Sequence, residues 1–415
     1  MSKWLLALCL PALSWAQADI LARLEKLEAE NAKLRSEVAS LRAKVEQLVP
    51  ERLEIAERRI EEQAQAKVEA ASKFPLELTG VALFNLFGNS KGAGGVDTPN
   101  TASATVNRGA AGLTFRQSIV GLRFHGPVTL FGAKVSGEAF GDFWEGTTEG
   151  TGAIPLRLRT AELRLDWERR TVAVGLMKPL ISPRNPTSYA TMGITPLTSS
   201  GNLWRWQPQV RYEERLGDFK LQGALMQTSE QAGLANPALV VLRRPSLELR
   251  GAWAKDDRFE FGVGAHASTS HVTGQSVPSR IASVDWMARP WEKLELTGFL
   301  FTGENVHHLG SLRQSFRFLA DGRVLAVRSR GGWAQASVPL TARLTANLFG
   351  GIHDDRNADL LRGQNGRNRT GGANLMFQVA PNVVLGFESL QVRSFFLGLG
   401  DRRVNRYDLS LAYLF

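Results

Sequence analysis

The chain has 415 residues, a formal net charge of +10 at pH 7, 40 glycines and a single cysteine. Cys9 lies within a predicted leader, so the mature chain has no thiol for a disulfide or for a cysteine metal site. Beyond the leader no stretch approaches the roughly 18 unbroken apolar residues of a transmembrane helix, which leaves open the weaker pattern of barrel strands.

The first 18 residues have the layout of a secretory signal peptide. Lys3 provides a positive start, residues 4–13 form a short apolar run, and 16–18 supply a small-x-small cleavage pattern. A short anchor helix is the alternative, but spanning a bilayer takes roughly 20 apolar residues. We therefore expect secretion, with cleavage before Asp19.

Residues 19–73 predict a helical segment that is largely a coiled coil. Apolar residues recur every seven positions in two interleaved series, with Glu, Lys and Arg on the flanks. The heptad positions used here are Leu24, Leu27, Asn31, Leu34, Val38, Leu41, Val45 and Leu48. Asn31 at an a position would pair with its own copies, which predicts a homo-oligomer. A single amphipathic helix packed on its own chain is the alternative, although such helices usually have a wider apolar stripe.

From residue 74 to 415 the period changes to two. The stretch "FGAKVSGEAFGDF" (131–143) has one face of apolar residues and glycine, while the other carries Lys134, Glu138 and Asp142, with Phe140 as an exception. Strict alternation of this kind predicts strands with one wet face and one oily face. We count sixteen such segments along this region.

The connections between these segments distinguish a barrel from a soluble sandwich. Short turns are expected at 125–127, 168–170, 216–218, 255–257, 289–292, 339–341 and 380–382. Long links are expected at 89–113, 144–154, 177–207, 229–243, 271–279, 304–324, 353–369 and 395–403. Alternation of short and long connections, with an even strand number, predicts an all-β transmembrane barrel of about 16 antiparallel strands around an aqueous lumen.

Several stretches resemble a known family. "RQSIVGLRF" (116–124) and "AKVSGEAFGDFW" (133–144) look like the second and third strands of trimeric outer-membrane porins that carry an N-terminal periplasmic coiled coil. "LRLRTAEL" (156–163) looks like their arginine-bearing fourth strand, and "GLMKPLISPRN" (175–185) with "QPQVRY" (207–212) like the flanks of their third loop. The resemblance implies a homotrimeric, Gram-negative outer-membrane protein; in the closest subfamily the cargo is small anions such as dicarboxylates. Peptide rules for the heptads lean instead toward a dimer.

The chain ends on a perfect alternation. Tyr407, Leu409, Leu411, Tyr413 and Phe415 are large and apolar, and the residues between them are mostly small or polar. A sheet in lipid can leave no open edge, so we expect this strand to close the barrel against the first strand near 74–87. The ending is similar to the C-terminal signal by which barrel-insertion machinery recognises its clients. Under that interpretation these five residues face lipid and Phe415 also serves as the tag.

The charge of the chain lies in the barrel region. Residues 19–73 hold 11 basic and 12 acidic side chains, whereas residues 74–415 hold 38 basic and 28 acidic ones. Charges avoid hydrocarbon, so they line the lumen or decorate loops, and a basic lumen concentrates anions. The pore-lining candidates are Arg157, Arg159, Arg164, Arg184, Arg205, Arg211, Lys134, Glu138 and Asp142. Arg328 and Arg330 are weaker candidates for the same role.

Two questions remain open for the candidate residues: whether they select a solute, and which way Arg164 points. Most lumen charges of a porin pair with each other without selecting a solute. Arg164 also has the opposite parity to Arg157 and Arg159, so the strand has a bulge or one set lies above the membrane. The resemblance implies that the third loop, 177–207, folds into the barrel and narrows it.

These patterns predict a passive outer-membrane porin with a preference for anions. We find no catalytic residues, metal ligands or cofactor motif: the Gly-x-Ser-x-Gly match at 88–92 is followed by glycines rather than a helix. Dispersed charge argues against nucleic acid as a partner. One alternative function is a membrane anchor whose coiled coil tethers the outer membrane to peptidoglycan, and a less favoured one is a barrel lipase.

Overall fold

The computed structural model describes Lys26 and residues 28–42, 75–105, 107–144, 155–228, 240–241, 244–312 and 314–415. The chain divides into two units, Met1–Phe74 and Pro75–Phe415. The predicted signal peptide, the heptad positions Leu24, Leu27, Val45 and Leu48, and residues 43–73 of the predicted helical segment lie outside the described residues. Within those residues, no helix has the length and apolarity needed to cross a membrane.

A helix occupies residues 28–42 of the first unit, in agreement with the predicted helical period. Its heptad residues Leu34, Val38 and Leu41 are 58, 48 and 60% exposed, and Asn31 is exposed as well. Ser36 and Ser40 each donate a hydrogen bond to a carbonyl one turn earlier. The described part of the apolar stripe on this helix is therefore exposed.

The second unit is a closed antiparallel β-barrel, as the alternation predicts. Its strands in the first half of the chain are β1 (Leu76–Asn89), β2 (Ala110–Thr114), β3 (Ile119–Leu130), β4 (Ala133–Asp142), β5 (Arg157–Asp166), β6 (Arg170–Met177), β7 (Gln207–Leu216), β8 (Phe219–Met226) and β9 (Val240–Val241). The second half contributes β10 (Ser246–Lys255), β11 (Phe259–Val272), β12 (Gln275–Trp291), β13 (Leu294–Glu304), β14 (Phe316–Phe318), β15 (Val324–Ala326), β16 (Arg328–Pro339), β17 (Leu344–Asp355), β18 (Asn365–Ala380), β19 (Val383–Phe396) and β20 (Gly400–Leu414). Two 3₁₀ helices span His307–Leu309 and Asn357–Asp359.

Sixteen positions make up the barrel wall in the part of the chain that the structure describes. β2 and β3 share one position because both pair with β1, and β9 continues β10 alongside β11. β14 and β15 form a separate hairpin in the loop before β16. Consecutive wall strands pair as antiparallel neighbours, so the wall follows chain order.

The last strand closes the barrel against the first. β20 pairs with β1 from Val81↔Leu414 to Asn89↔Arg406, and Gly80 N donates to Phe415 O at 2.9 Å. The predicted closure by the C-terminal strand is confirmed. The free backbone edges of the first and last strands are thereby satisfied, which a sheet in hydrocarbon requires.

In the barrel wall, polar side chains point inward and apolar side chains point outward, the opposite of a soluble protein. Asn85, Glu248 and Asp408 are at most 2% exposed, because they point into the filled lumen. Their chain neighbours Leu86, Leu249 and Leu409 are 46, 53 and 43% exposed, because they point outward. Polar residues inside and apolar residues outside form the alternation that a transmembrane barrel requires.

Three expected connections are wrong. The turn expected at 125–127 is part of β3, and the chain turns instead at Phe131 and Gly132, both with positive φ. The long link expected at 271–279 is a two-residue turn between paired strands, and most of the one expected at 395–403 belongs to β19 and β20. Around 271–279 both faces are mostly polar, as in "STSH" (268–271) and "QSVPSR" (275–280), so the alternation that marks a half-buried strand is missing there.

Candidate functional site

Residues 178–206, which we call the constriction loop, connect β6 to β7 and lie inside the barrel. Prolines at 179, 183, 186 and 196 remove backbone donors, so this segment cannot continue the sheet. Its backbone is hydrogen-bonded to wall residues on different sides of the lumen: Leu180 to Glu248 (2.5 Å), Ile181 to Ser283 (3.1 Å), Thr187 to Asn374 (2.9 Å) and Ala190 to Gln117 (3.0 Å). The loop therefore crosses the lumen.

An apolar cluster fixes the loop to one side of the wall. Ile181 and Leu203 of the loop pack with Phe299, Trp333 and Phe349, which point inward from β13, β16 and β17. All five are at most 4% exposed, which stabilises the loop by roughly 1.5–3 kcal/mol for each large side chain removed from water. This cluster fills part of a lumen that would otherwise contain water.

On the opposite side, Asp142 of β4 joins two arginines of β5. Arg157 Nη2 and Arg159 Nη1 each donate to Asp142 Oδ2 at 2.7 Å, and the Asp142 side chain is fully buried. The same two guanidinium groups donate to loop carbonyls, Gly193 O at 2.7 Å and Met192 O at 2.7 Å. These arginines hold the loop to the wall.

A bulge explains the parity of the arginines on β5. The β4–β5 register shifts between Phe140 and Gly141, so that Thr160 pairs with Phe140 and Leu158 with Gly141. Arg159 is the additional residue, and beyond it the inward parity changes. Arg164 pairs with Glu162 (3.4 Å) and Asp166 (3.3 Å), farther along β5 from the two arginines that hold the loop. Of the two explanations for the parity of Arg164, a bulge or a set of arginines above the membrane, the structure contains the bulge.

A cavity of about 210 Å³ lies between the start of the constriction loop and the wall formed by β4, β5, β7 and β8. Its charged lining consists of Glu138, Glu162, Lys178 and Arg211. Arg211 Nη2 donates to Lys178 O at 2.9 Å, and Lys178 Nζ donates to Pro183 O at 3.2 Å. The Arg211 guanidinium therefore lies against the Lys178 backbone, and its charge acts on the Lys178 amine.

The acids and bases of this cavity differ in their partners. Glu162 lies 3.4 Å from Arg164, and Glu138 lies 3.6 Å from Arg123. Among the described residues, no carboxylate oxygen lies within 4.0 Å of Lys178 Nζ or of the Arg211 guanidinium. Burial, reinforced by the nearby charges of Arg211 and Arg184, lowers the pKa of Lys178 to about 7. Lys178 and Arg211 thus have no direct carboxylate partner among the described residues, although Glu162, Glu213 and Glu248 act on Arg211 from a greater distance.

Comparison with known proteins clarifies this architecture. No protein-family model matches the chain, and no curated protein sequence matches it. The outer membrane channel DcaP of Acinetobacter baumannii superposes with a TM-score of 0.68 at 17% identity, over 82% of this chain and 97% of that one. The chain shares the closed 16-strand antiparallel barrel fold of that protein. OmpT of Vibrio cholerae superposes with a TM-score of 0.52 at 9% identity, over 82% and 97% of the two chains.

Within this barrel, the other predicted site residues are dispersed. Arg184 of the constriction loop is neutralised by Asp285 (2.7 Å) and Glu260 (2.6 Å). Arg205 lies at the other end of the loop; its Nη1 is buried without a hydrogen bond, and burial lowers its pKa. Lys134 is exposed near the short-turn end of β4 and does not line the cavity. The structure thus brings only Arg211 and Glu138 of the predicted set to the cavity.

Arg328 and Arg330, the weaker candidates for the lumen, face away from it. Both are exposed on the outer face of β16, whereas Ser329 between them is buried and donates to Asp355 at 2.6 Å. The expectation that they line the pore is therefore wrong. Alternate residues of β16 point outward and inward, and which of them point outward was not assigned from the sequence.

Lys178 and Glu162 are the residues of the cavity that sequence reasoning did not select. Lys178 lies within the long third connection, 177–207, and nothing in a loop of irregular backbone indicates which way a side chain points. Glu162 shares its strand with the arginines, and its inward direction depends on the bulge at Arg159. A parity count that allowed for the bulge would have found Glu162.

Proposed function

We propose that the protein is an outer-membrane porin through which small hydrophilic solutes, preferentially anions, diffuse passively. The closed barrel, the oily outer face and the inward constriction loop support a channel. No chemical step, cofactor or metal belongs to this proposal. Small carboxylates are the cargo class that best fits the chemistry of the cavity.

The observation that carries the anion preference is the unequal pairing in the cavity. Glu138 and Glu162 have arginine partners, whereas Lys178 and Arg211 have no carboxylate partner. An unpaired cation in a narrow, low-dielectric passage attracts counter-ions, and the planar guanidinium of Arg211 can hold a carboxylate with two hydrogen bonds. We infer that anions pass along this side of the constriction loop.

Reversal potentials in planar bilayers under a KCl gradient test this function. We expect the wild-type channel to conduct with anion selectivity, and the Lys178→Gln/Arg211→Gln variant to lose most of that selectivity while still conducting. Lys255→Gln, an exposed residue beside a short turn, is the matched control and should behave as wild type. A barrel that does not conduct, or wild-type cation selectivity, would overturn the proposal.

We also propose a homotrimer held by the N-terminal segment in the periplasm. The exposure of Leu34, Val38 and Leu41 on the 28–42 helix supports a partner helix, and another copy of the chain is the simplest one. The same exposed stripe equally supports the second candidate function, a tether between the outer membrane and peptidoglycan. Tyr407, Leu409, Leu411, Tyr413 and Phe415 complete the proposal as the signal for the barrel-insertion machinery.

A further inference from the structure

Two cavities lie one above the other on the outer face of the wall, on β12, β13, β16 and β17. The lower one, about 530 Å³, is lined mainly by apolar residues and is called the apolar groove: Trp286, Leu296, Ala334, Ala336, Leu348 and Gly350. The upper one, about 490 Å³, is called the arginine rim: Arg280, Arg328, Arg330 and Arg356, with the acids Glu304, Asp354 and the buried Asp355.

The apolar groove exists because small residues occupy adjacent outward positions. Gly298 pairs with Ala334, and Ala334 pairs with Gly350, so one row of the wall has almost no side chains. The Trp286 ring lies across Gly298 and forms one side, and Leu348, 66% exposed, rises from the row below. A groove in the otherwise bulky apolar surface accepts a narrow apolar chain.

The arginine rim begins directly above the last apolar row. Leu300 pairs with Gly332, and the next outward row pairs Thr302 with Arg330. Above that row, Glu304 lies between Arg280 and Arg328. The rim therefore lies where an oily outer face gives way to water, at the end of the strands that carries the constriction loop.

The arginines of the rim are more exposed than the acids beside them. Arg280 and Arg330 side chains are each 77% exposed, whereas Glu304 and Asp354 are 25 and 22% exposed. Arg280 lies 3.8 Å from Glu304 without a hydrogen bond. Because an anion contacts the outermost groups first, it would meet guanidinium groups rather than carboxylates.

Most donors of these guanidinium groups remain available. Arg330 uses Nε and Nη2 on Asp354, and Arg328 uses the same two atoms on Asp359; Nη1 of each has no hydrogen-bond partner among the described residues. In the described part of the chain, the Arg356 side chain has no hydrogen-bond or ion-pair partner. Guanidinium donors arranged in this way suit phosphate oxygens.

We propose that this face binds a phosphorylated lipid of the outer leaflet, with its phosphates on Arg280, Arg328 and Arg330 and one acyl chain in the apolar groove. The inference rests on the proposed outer-membrane location. The charge of the rim favours a lipid as the occupant, because anionic phosphates complement its arginines. A second copy of the chain placed symmetrically would instead bring arginine against arginine. The vertical order of apolar groove and rim matches the order of acyl chain and headgroup in the leaflet.

Native mass spectrometry of the delipidated, detergent-solubilised full chain tests this inference. The probe is purified diphosphorylated lipid A, compared with phosphatidylcholine and with inorganic phosphate as competitor. We expect lipid A to bind the wild type in preference to phosphatidylcholine. Binding should weaken about tenfold in Arg280→Gln/Arg328→Gln/Arg330→Gln, and also in Ala334→Leu, which fills the apolar groove.

The control is Arg258→Gln/Arg289→Gln/Arg343→Gln, which removes three exposed arginines near the short turns and should bind lipid A as wild type. Equal binding by the rim variant, equal binding of phosphatidylcholine, or displacement of lipid A by inorganic phosphate would each overturn the proposal. A change of oligomeric mass in Ala334→Leu without a change in lipid binding would assign this face to a second copy instead.

Conductance of the same preparations separates this inference from the proposed function. The rim residues lie outside the lumen, so the rim variant should conduct as wild type if both proposals hold. A wild type that binds lipid A but does not conduct would overturn the porin and leave the lipid site. Heat-modifiable migration on gels verifies that each variant forms a folded barrel before binding is measured.

Discussion

At the scale of single residues, the environment of a charge determines what it can do. Arg157 and Arg159 were obvious from the sequence as pore cations, yet Asp142 and the loop carbonyls occupy their donors. Lys178 was less conspicuous and has no carboxylate partner among the described residues. A cation that is already paired fixes the structure, whereas an unpaired one is available to a solute.

Lys178 should make the selectivity depend on pH near neutrality. Burial lowers its pKa to about 7, so its charge is present below pH 7 and is lost as the pH rises through that value. The charged fraction falls from about 0.9 at pH 6 to about 0.1 at pH 8. We expect the anion-to-cation permeability ratio, measured from reversal potentials, to decrease over this range.

Two variants are the controls for this pH dependence. Lys178→Arg keeps its charge across the range and should have a high, constant ratio, whereas Lys178→Gln should have a low, constant ratio. A wild-type ratio that is the same at pH 6 and pH 8 would contradict the assignment of Lys178 to the passage.

Asp142→Asn should release the constriction loop from β5. The substitution removes the buried carboxylate that Arg157 and Arg159 share, and with it the charge that balances the two guanidinium groups there. Breaking a buried pair in this way costs about 3–5 kcal/mol. We expect a lower thermal unfolding temperature and larger open-channel current fluctuations. Asp218→Asn, whose pair with Lys255 is exposed, should change neither quantity.

At the scale of elements, the last strand, β20, combines an outward apolar face with a packing contact at its final residue. The outward alternation of β20 was evident in the sequence, and Tyr407, Leu409, Leu411 and Tyr413 are 43–55% exposed in the barrel. The Phe415 ring lies beside Gly80, where a Cβ atom would come within 2.8 Å of it. Phe415 therefore has two separable roles to test: packing on Gly80 and the proposed assembly signal.

Deleting Phe415 should reduce assembly in cells far more than it reduces stability. If the residue is a recognition tag, the variant should refold in detergent nearly as well as wild type but accumulate poorly in the outer membrane. Gly80→Ala is the companion variant: its Cβ would clash with the Ile119 carbonyl of β3 and with the Phe415 ring while the tag is kept, so it should lower stability in detergent and still assemble. Normal cellular assembly without Phe415 would count against the assembly signal.

At the scale of the whole molecule, the barrel should be autonomous. Its wall closes through β1 and β20, both within Pro75–Phe415, so no wall pairing depends on the N-terminal unit. Deleting residues 19–72 should therefore leave single-channel conductance unchanged, as measured in planar bilayers. Loss of conductance would contradict the independence of the barrel.

The same deletion distinguishes the roles proposed for the N-terminal segment. If its exposed heptads hold the trimer, the mass of the detergent-solubilised complex should fall to that of smaller species. If the segment is a tether, the oligomer should persist while the outer membrane separates from peptidoglycan in cells. Asn31→Leu is a milder companion variant, since it keeps the helix and should alter the oligomeric state only in the first case.

Local pattern was sufficient to predict the barrel, its sixteen wall positions and its closure by the C-terminal strand. The reason is that lipid imposes an alternation on every strand, and each strand displays that alternation independently of its partners. The pattern vanished where strands rise beyond the oily band, which is why connections such as 271–279 were predicted incorrectly. The heptads of the N-terminal segment are a similarly local signal.

Only the tertiary structure decided which charges face one another. The bulge at Arg159 reverses the parity of β5, and the constriction loop places Lys178 beside Arg211, 33 positions later in the chain. The small outward row that creates the apolar groove likewise becomes visible only when Gly298, Ala334 and Gly350 are placed in register. Register, bulges and loop paths join residues distant in the chain, and a repeat of two along one strand contains no information about them.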